Sequence, residues 1–291
     1  MKTRSFSFRL PRDRVAQQPL ERRDSSRLLV LARATGEIAH HRFNDLPGLV
    51  EPGTLLLLND SRVRKARLLG QSPTGGVAEF LLLEQTQPGT WKCLAARARK
   101  QRPGSTYRFP GGVSGVVVAP VDSESDPQFR FLRLDPAITE GYLEQHGHVP
   151  LPPYITRPDS GADAERYQTV YARALGSAAA PTAGLHLTET LLEALRDRGV
   201  EVASLTLHVG TGTFLPIRTE EIDAHRMHEE AYDIPEATAL AVNRAQEAGR
   251  KVLAVGTTVV RTIESAWREG KVAAGSGRTS LFIKPGFRFR V

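Results

Sequence analysis

The sequence predicts an α/β main body interrupted by a small inserted β domain, and three observations carry that expectation. In the second half of the chain, stretches of helical apolar spacing alternate with short apolar runs, the pattern of successive strand–helix units. Between about Lys65 and Leu134 the pattern changes to short β-type runs separated by turn residues. Three turns rich in glycine and threonine also stand directly after apolar segments, where open α/β sheets place their ligand crevices.

Taken in order, the amino terminus Met1-Lys2-Thr3-Arg4-Ser5-Phe6 is basic but leads into Arg9, Arg12 and Asp13, so no secretory signal is expected. The apolar runs 28–31 and 55–58 are assigned to the α/β body. Next come the β-type runs 77–83, 91–95, 107–109, 113–118 and 129–134. Ser72-Pro73-Thr74-Gly75-Gly76, Gln87-Pro88-Gly89-Thr90, Pro110-Gly111-Gly112 and the segment 122–127 punctuate them at intervals suited to a small barrel or sandwich. The division expected is a discontinuous main domain of residues 1–64 and 150–291, with residues 65–149 inserted.

After Pro152-Pro153-Tyr154 the α/β pattern resumes. Leu191, Leu192 and Leu195 share a helix face between Thr188 and Gly199, and 200–207 follows as an apolar strand. Asp233 and Pro235 are read as opening a helix with Ala237, Leu240, Ala241, Ala245 and Ala248 on one face; Gly249 closes it before a strand at 251–255. Val259, Val260, Ile263, Ala266 and Trp267 mark a last amphipathic helix.

The three turns are Ala180-Pro181-Thr182-Ala183-Gly184-Leu185-His186, His208-Val209-Gly210-Thr211-Gly212-Thr213-Phe214 and Gly256-Thr257-Thr258. Glycine lets a ligand approach the backbone, and threonine hydroxyls donate or accept hydrogen bonds. The third turn also opens a helix, whose free N–H groups favour a carboxylate or phosphate. The turns are therefore expected to meet at one polar small-molecule site; ordinary tight turns are the competing reading.

Length and composition are consistent with this plan. The 291 residues suffice for one large or two ordinary domains, and 40% hydrophobic with 24% charged residues is ordinary for a soluble globular chain. No apolar run approaches a membrane span. Cys93 is the single cysteine, so no internal disulfide forms and a reducing cytosol is the simplest compartment; its neighbours Trp91 and Leu94 make it a small core residue. The net charge of +7 includes two clusters, Arg62/Arg64/Lys65/Arg67 and Arg97/Arg99/Lys100/Arg102, which suit either a polyanionic partner or a solvated face.

These motifs, in order along nearly the whole chain, resemble the S-adenosylmethionine:tRNA ribosyltransferase-isomerase family of queuosine biosynthesis. The resemblance rests on Ala16-Gln17-Gln18-Pro19-Leu20, Arg23-Asp24-Ser25-Ser26-Arg27-Leu28, Leu58-Asn59-Asp60-Ser61-Arg62-Val63, Pro152-Pro153-Tyr154-Ile155 and Glu165-Arg166-Tyr167-Gln168-Thr169-Val170-Tyr171-Ala172. It continues through the three turns, Met227-His228-Glu229-Glu230 with Tyr232, Arg261 with Glu264, and Leu281-Phe282-Ile283 with Pro285-Gly286.

The resemblance implies an α/β main domain with an inserted β-barrel domain and a cytoplasmic enzyme. Its implied partners are S-adenosylmethionine, consumed as co-substrate, and a tRNA carrying 7-aminomethyl-7-deazaguanine at the wobble position. No metal and no other cofactor is implied. Relatives continue past Lys284-Pro285-Gly286-Phe287-Arg288-Phe289 for some tens of residues that include a Thr-Asn-Phe-His-Leu-Pro motif, so the fold is expected largely to survive with turnover reduced or absent.

The chemistry needs a base beside the sulfonium, an acid for adenine departure and groups that hold methionine's charged ends. His186, His208 and His228 are the candidate bases, with Glu229 or Glu230 orienting one of them or acting directly. Thr182, Gly184, Gly210, Thr211, Gly212, Thr257 and Thr258 are candidate contacts to S-adenosylmethionine. Arg166, Tyr167, Gln168 and Tyr171 suit an unstacked base or adenine, with core packing of the tyrosines on one helix face as the rival. Asn59 and Arg62 are further candidate contacts, while Arg261 and Glu264 are read as a pair across one helical turn. Two other functions compete: a tRNA-binding protein without catalysis, and an NTPase, which the missing Gly-Lys-Thr or Gly-Lys-Ser loop disfavours.

Overall fold

The computed structural model describes residues 1–96, 98–120, 128–210, 212 and 217–291. The chain forms two compact units, one of Met1–Arg62, Pro153–Arg157 and Glu165–Val291, the other of Val63–Pro152 and Pro158–Ala164. In chain order the elements are β1 (Arg27–Leu31), β2 (Ile38–Arg42), α1 (Leu46–Leu49), β3 (Leu55–Asn59), β4 (Ser61–Val63), β5 (Arg67–Gln71), β6 (Val77–Gln87), β7 (Thr90–Ala95), β8 (Thr106–Arg108), β9 (Ser114–Val118), β10 (Phe129–Asp135) and α2 (Glu140–His146). Then follow α3 (Asp163–Arg166), β11 (Ala174–Ser177), α4 (Glu189–Asp197), β12 (Glu201–Leu207), β13 (Glu230–Ile234), α5 (Glu236–Glu247), β14 (Val252–Ala254), α6 (Thr257–Ser265), β15 (Trp267–Arg268), β16 (Lys271–Val272) and β17 (Gly275–Thr279).

The smaller unit is a closed antiparallel barrel in the order β10-β7-β6-β5-β8-β9. Alternate residues point inward: Leu68, Phe80, Leu82, Cys93, Val117 and Leu132 are all buried, and the Phe80 ring meets Tyr107 edge-on at 5.0 Å. The sequence reading missed β5, because its first residue looked like part of a basic cluster and Gly70 interrupts it. The structure explains the glycine: a Cβ at Gly70 would lie 2.8 Å from the Phe109 ring. Most of the first basic cluster is paired inside this unit, Arg64 with Glu140, Lys65 with Glu144, and Arg67 with Glu79 and Asp159. Arg97 and the segment 121–127, which holds one expected turn, lie outside the described residues.

Cys93 is fully buried, its thiol donates to the Arg130 carbonyl, and burial pushes its pKa up to about 12. A thiol that stays protonated is a poor nucleophile. The native chain is therefore expected to give no reaction with a thiol-titrating disulfide reagent, and one equivalent after denaturation; labelling of the native protein at a free-cysteine rate would contradict the placement.

The larger unit is built on a sheet in the order β14-β3-β12-β13-β17. β14, β3 and β12 run parallel, β13 runs antiparallel to them, and β17 pairs antiparallel with β13. β3 lies between β14 and β12 with both of its faces covered, which accounts for its unbroken run of leucines. Leu55 and Leu57 pack with Leu205 of β12 and with Val242, Val259 and Ile263 of α5 and α6; Leu56 and Leu58 pack with Leu187, Leu191, Leu192 and Leu195 around α4. Burial of each such leucine contributes roughly 1.5–3 kcal/mol. Thr188 caps α4 by accepting the Leu191 N–H at 3.1 Å.

Four expectations need correction here. The run 28–31 does not enter the main sheet; β1 pairs only with β2, and Leu29, Leu31 and Ile38 are exposed. Asp233 lies in β13, and α5 begins after Pro235. The buried face of α5 is Thr238, Ala239, Ala241, Val242 and Ala245, while Ala237, Leu240 and Ala248 are exposed. An alanine-rich helix has a weak apolar stripe, so its orientation is decided by where Val242 packs. Trp267 stands in β15, paired with Val272, past the end of α6. Among the described residues no helix is long and apolar enough to cross a membrane.

Candidate active site

Because β14, β3 and β12 are parallel, their carboxyl ends lie along one edge of the sheet, and Gly256, Asn59-Asp60 and His208 leave from that edge. Asn59 joins the connections. Its amide nitrogen donates to Leu207 O at 3.0 Å and Thr258 Oγ1 at 3.2 Å, while its oxygen accepts from Leu207 N and Ser61 N. The side chain thus uses both N–H groups and both lone pairs on the protein itself. Fully buried, Asn59 holds the turns in register and has no capacity left for a ligand.

The first turn meets the third directly: a Cβ at Gly256 would be 3.5 Å from the Ala183 methyl. Gly256, with φ 93°, precedes α6 in a conformation that disfavours any side chain. The segment before the first turn meets the second through Ser177, which the sequence reading passed over. Ser177 Oγ accepts from Val209 N at 2.8 Å and donates to Ala179 O at 2.9 Å, and Ala178 N donates to Val209 O. The only sequence signal for Ser177 was a buried-looking serine at a strand end.

Glu230 and Arg261 bind the second turn to α6. The buried Glu230 carboxylate accepts Gly210 N–H at 2.8 Å and pairs with Arg261 Nη1, and Arg261 Nε donates to Leu281 O at 2.9 Å. This corrects the expected Arg261–Glu264 pair. Glu264 instead accepts the N–H groups of Arg290 and Val291, because a neighbour one turn along a helix competes poorly with partners fixed by packing.

The candidate residues divide accordingly. Thr182 and Thr257 are exposed and Thr258 is half-buried, while Gly184 is buried and Gly210 half-buried; all stand on the joined turns. Gly212 lies against Met227, its Cβ position 3.2 Å from the Met227 methyl; Thr211 lies outside the described residues. His208 is half-buried, its ring over Gly176, and His228 is also half-buried. Glu229 is exposed and pairs with Arg278 at 2.9 Å. Arg62 is exposed, with no ion pair among the described residues.

Arg166 is committed to the main chain, donating to Leu20 O at 2.7 Å and Glu21 O at 3.3 Å. Tyr167 and Tyr171 do not share a helix face, since α3 stops at Arg166. Both hydroxyls are pushed up in pKa by burial, and Tyr171 packs against Gly184. Half-buried Gln168 lies between them.

His186 ends the first turn with its ring 5.0 Å from Phe43, and burial lowers its pKa below the ordinary value, opposed by a hydrogen bond to the Arg23 main chain. The native imidazole therefore binds fewer protons than the unfolded one. Its contribution to stability is intact above about pH 6.5 and shrinks as pH falls through that value. In an NMR titration the His186 ring should titrate below 6.5; a midpoint at or above 6.5 would contradict this burial.

A parallel α/β core brings glycine- and threonine-bearing turns together at one sheet edge, the place where open α/β sheets carry their ligand crevices. The family model described as "Queuosine biosynthesis protein" matches residues 3–291, and the chain belongs to that family. Among its relatives are two proteins named S-adenosylmethionine:tRNA ribosyltransferase-isomerase. The one from Anaeromyxobacter dehalogenans (strain 2CP-C) is 50% identical over 295 residues, covering 100% of this chain and 84% of the relative. That from Treponema denticola is 42% identical over 299 residues, covering 100% of this chain and 85% of the relative. A crystal structure of S-adenosylmethionine tRNA ribosyltransferase from Thermotoga maritima is 31% identical, over 98% of this chain and 80% of that one, with a TM-score of 0.48.

Proposed function

We propose that this chain transfers and isomerises the ribosyl part of S-adenosylmethionine onto 7-aminomethyl-7-deazaguanine at the wobble position of a tRNA, leaving epoxyqueuosine and releasing adenine and methionine. The observation that carries this reading is the match to relatives named for the reaction along the whole of this chain. S-adenosylmethionine is a consumed substrate in this scheme, and the reaction requires neither a metal nor a redox cofactor. The compartment is the cytoplasm, where charged and uncharged tRNA and S-adenosylmethionine meet.

A sulfonium acidifies the C–H bonds beside it, so the first step is removal of one of those protons by a positioned base. His186, His208 and His228 are the candidates. Burial favours the unprotonated imidazole of His186 at neutral pH, the state a base must start from. The hydroxyls of Thr182, Thr257 and Thr258 and the N–H groups at the start of α6 suit the polar and carboxylate ends of the methionyl group.

Incubation of the chain with S-adenosylmethionine and precursor-bearing tRNA tests the reading. Adenine release, together with the epoxide-bearing nucleoside in mass spectra of digested tRNA, is the expected result. Binding of tRNA with no adenine released would select a non-catalytic tRNA-binding protein instead, and a calorimetric preference for ATP over S-adenosylmethionine would favour a nucleotide hydrolase.

A further inference from the structure

The barrel closes everywhere with multi-residue ladders except at one seam, where β5 meets β8 through the single pair Gln71↔Arg108. One residue beyond β8 stands a large ring packed inside the barrel. Phe109 turns its ring into the barrel between Gly70 of β5 and Gly115 of β9, where a Cβ would come within 2.8 Å and 2.7 Å of the ring. β5 and β8 still approach closely, a Cβ at Gly70 lying 3.0 Å from the Tyr107 Cβ, and the outer surface on either side of the single pair forms a groove. Two clefts, of about 560 and 390 Å³, flank the Gln71–Arg108 pair and share both residues.

The floor of the groove is set by register. Arg108, Ser114 and Asp135 form one outward row across β8, β9 and β10, and Thr106, Val116 and Arg133 form the next. Ser72 and Pro73 of the β5–β6 turn lie along the wall. Arg108 and Arg133 are exposed, and neither has an ion pair among the described residues. They differ in this from Arg64, Lys65 and Arg67 of the same unit, whose charges are answered by Glu140, Glu144 and Asp159. Asp135 adds one negative charge against two positive ones. The groove therefore offers what a phosphodiester chain needs: cations spaced along an open channel, hydroxyl donors beside them, and apolar walls for sugars or bases.

We infer that this groove, centred on Arg108 and Arg133, receives the sugar–phosphate backbone of the RNA substrate. The inference rests on the proposed function, in which that substrate is a tRNA; unlike S-adenosylmethionine, a tRNA is far larger than the residues that do chemistry and needs contacts beyond them. The groove supplies sequence-independent affinity, so its loss weakens RNA binding and leaves the small-molecule substrate unaffected.

The experiment compares the wild-type chain with Arg108→Glu, Arg133→Glu and the double variant. Binding of tRNA is followed by fluorescence anisotropy across a salt series, and binding of S-adenosylmethionine by calorimetry. The double variant should bind tRNA at least tenfold more weakly, with the slope of log affinity against log salt reduced by about 1.5, and S-adenosylmethionine with unchanged affinity. Thr106→Trp, which fills the groove without altering charge, should weaken tRNA binding to a similar degree, and thermal melts should match wild type because all three side chains are exposed. Wild-type tRNA affinity and salt slope in the double variant would overturn the groove alone. Absence of tRNA binding by the wild-type chain would overturn the groove and the proposed function together.

Discussion

Glu230→Ala is expected to destabilise the chain by about 3–5 kcal/mol, whereas Glu229→Ala, one residue away, should cost under about 1 kcal/mol. The side chain of Glu230 is 1% exposed and that of Arg261 11%, so removing the carboxylate leaves a buried guanidinium without its counter-charge and Gly210 N–H without an acceptor. Glu229 and Arg278 are 60% and 59% exposed, so water screens that pair in both states. Denaturant unfolding of the two variants measures the contrast. Arg261→Met combined with Glu230→Met removes both charges at once and should recover much of the loss, because two apolar side chains need no counter-ion. Equal effects of the two single alanine variants would show that the buried pair does not hold the second turn to α6.

The second large effect is expected at Gly184. A Cβ there falls on the Tyr171 hydroxyl oxygen and lies 3.0 Å from the Thr169 methyl. The backbone cannot retreat easily, since Gly184 N donates to Pro181 O at 2.8 Å and Leu187 N donates to Gly184 O at 3.1 Å. Gly184→Ala should therefore destabilise by about 1–3 kcal/mol and move the turn that carries Thr182 and His186. Tyr171→Phe removes the clashing oxygen while keeping the ring, so the double variant should regain part of the lost stability and activity. Wild-type stability of Gly184→Ala would mean that the ring does not pack on this turn.

Much of the fold was legible in the sequence because it depends on local pattern. The leucines of α4 with Thr188 as cap, the apolar period of β12, and the turn chemistry between barrel strands each announce themselves within a dozen residues. Elsewhere local pattern is ambiguous. Gly70 obscured β5, whose glycine answers to Phe109 just past β8; the alanines of α5 left its orientation open; and the run 28–31 has the composition of a core strand but pairs only with its own hairpin partner. The glycine- and threonine-bearing turns were visible as motifs, yet nothing in their sequence gave Asn59 its four internal hydrogen bonds or made Glu230 the buried member of Glu229-Glu230.

By itself the sequence determined the α/β and β patterning, the family likeness and the identity of the turns. Tertiary structure alone decided that those turns meet, which carboxylate is buried between them, and where the closed barrel carries a groove on its outer surface. The physical reason is range. Helical and strand periods, caps and turn preferences act between near neighbours, whereas the order β14-β3-β12, the Glu230–Arg261 pair and the packing of Phe109 on Gly70 are set between residues far apart along the chain.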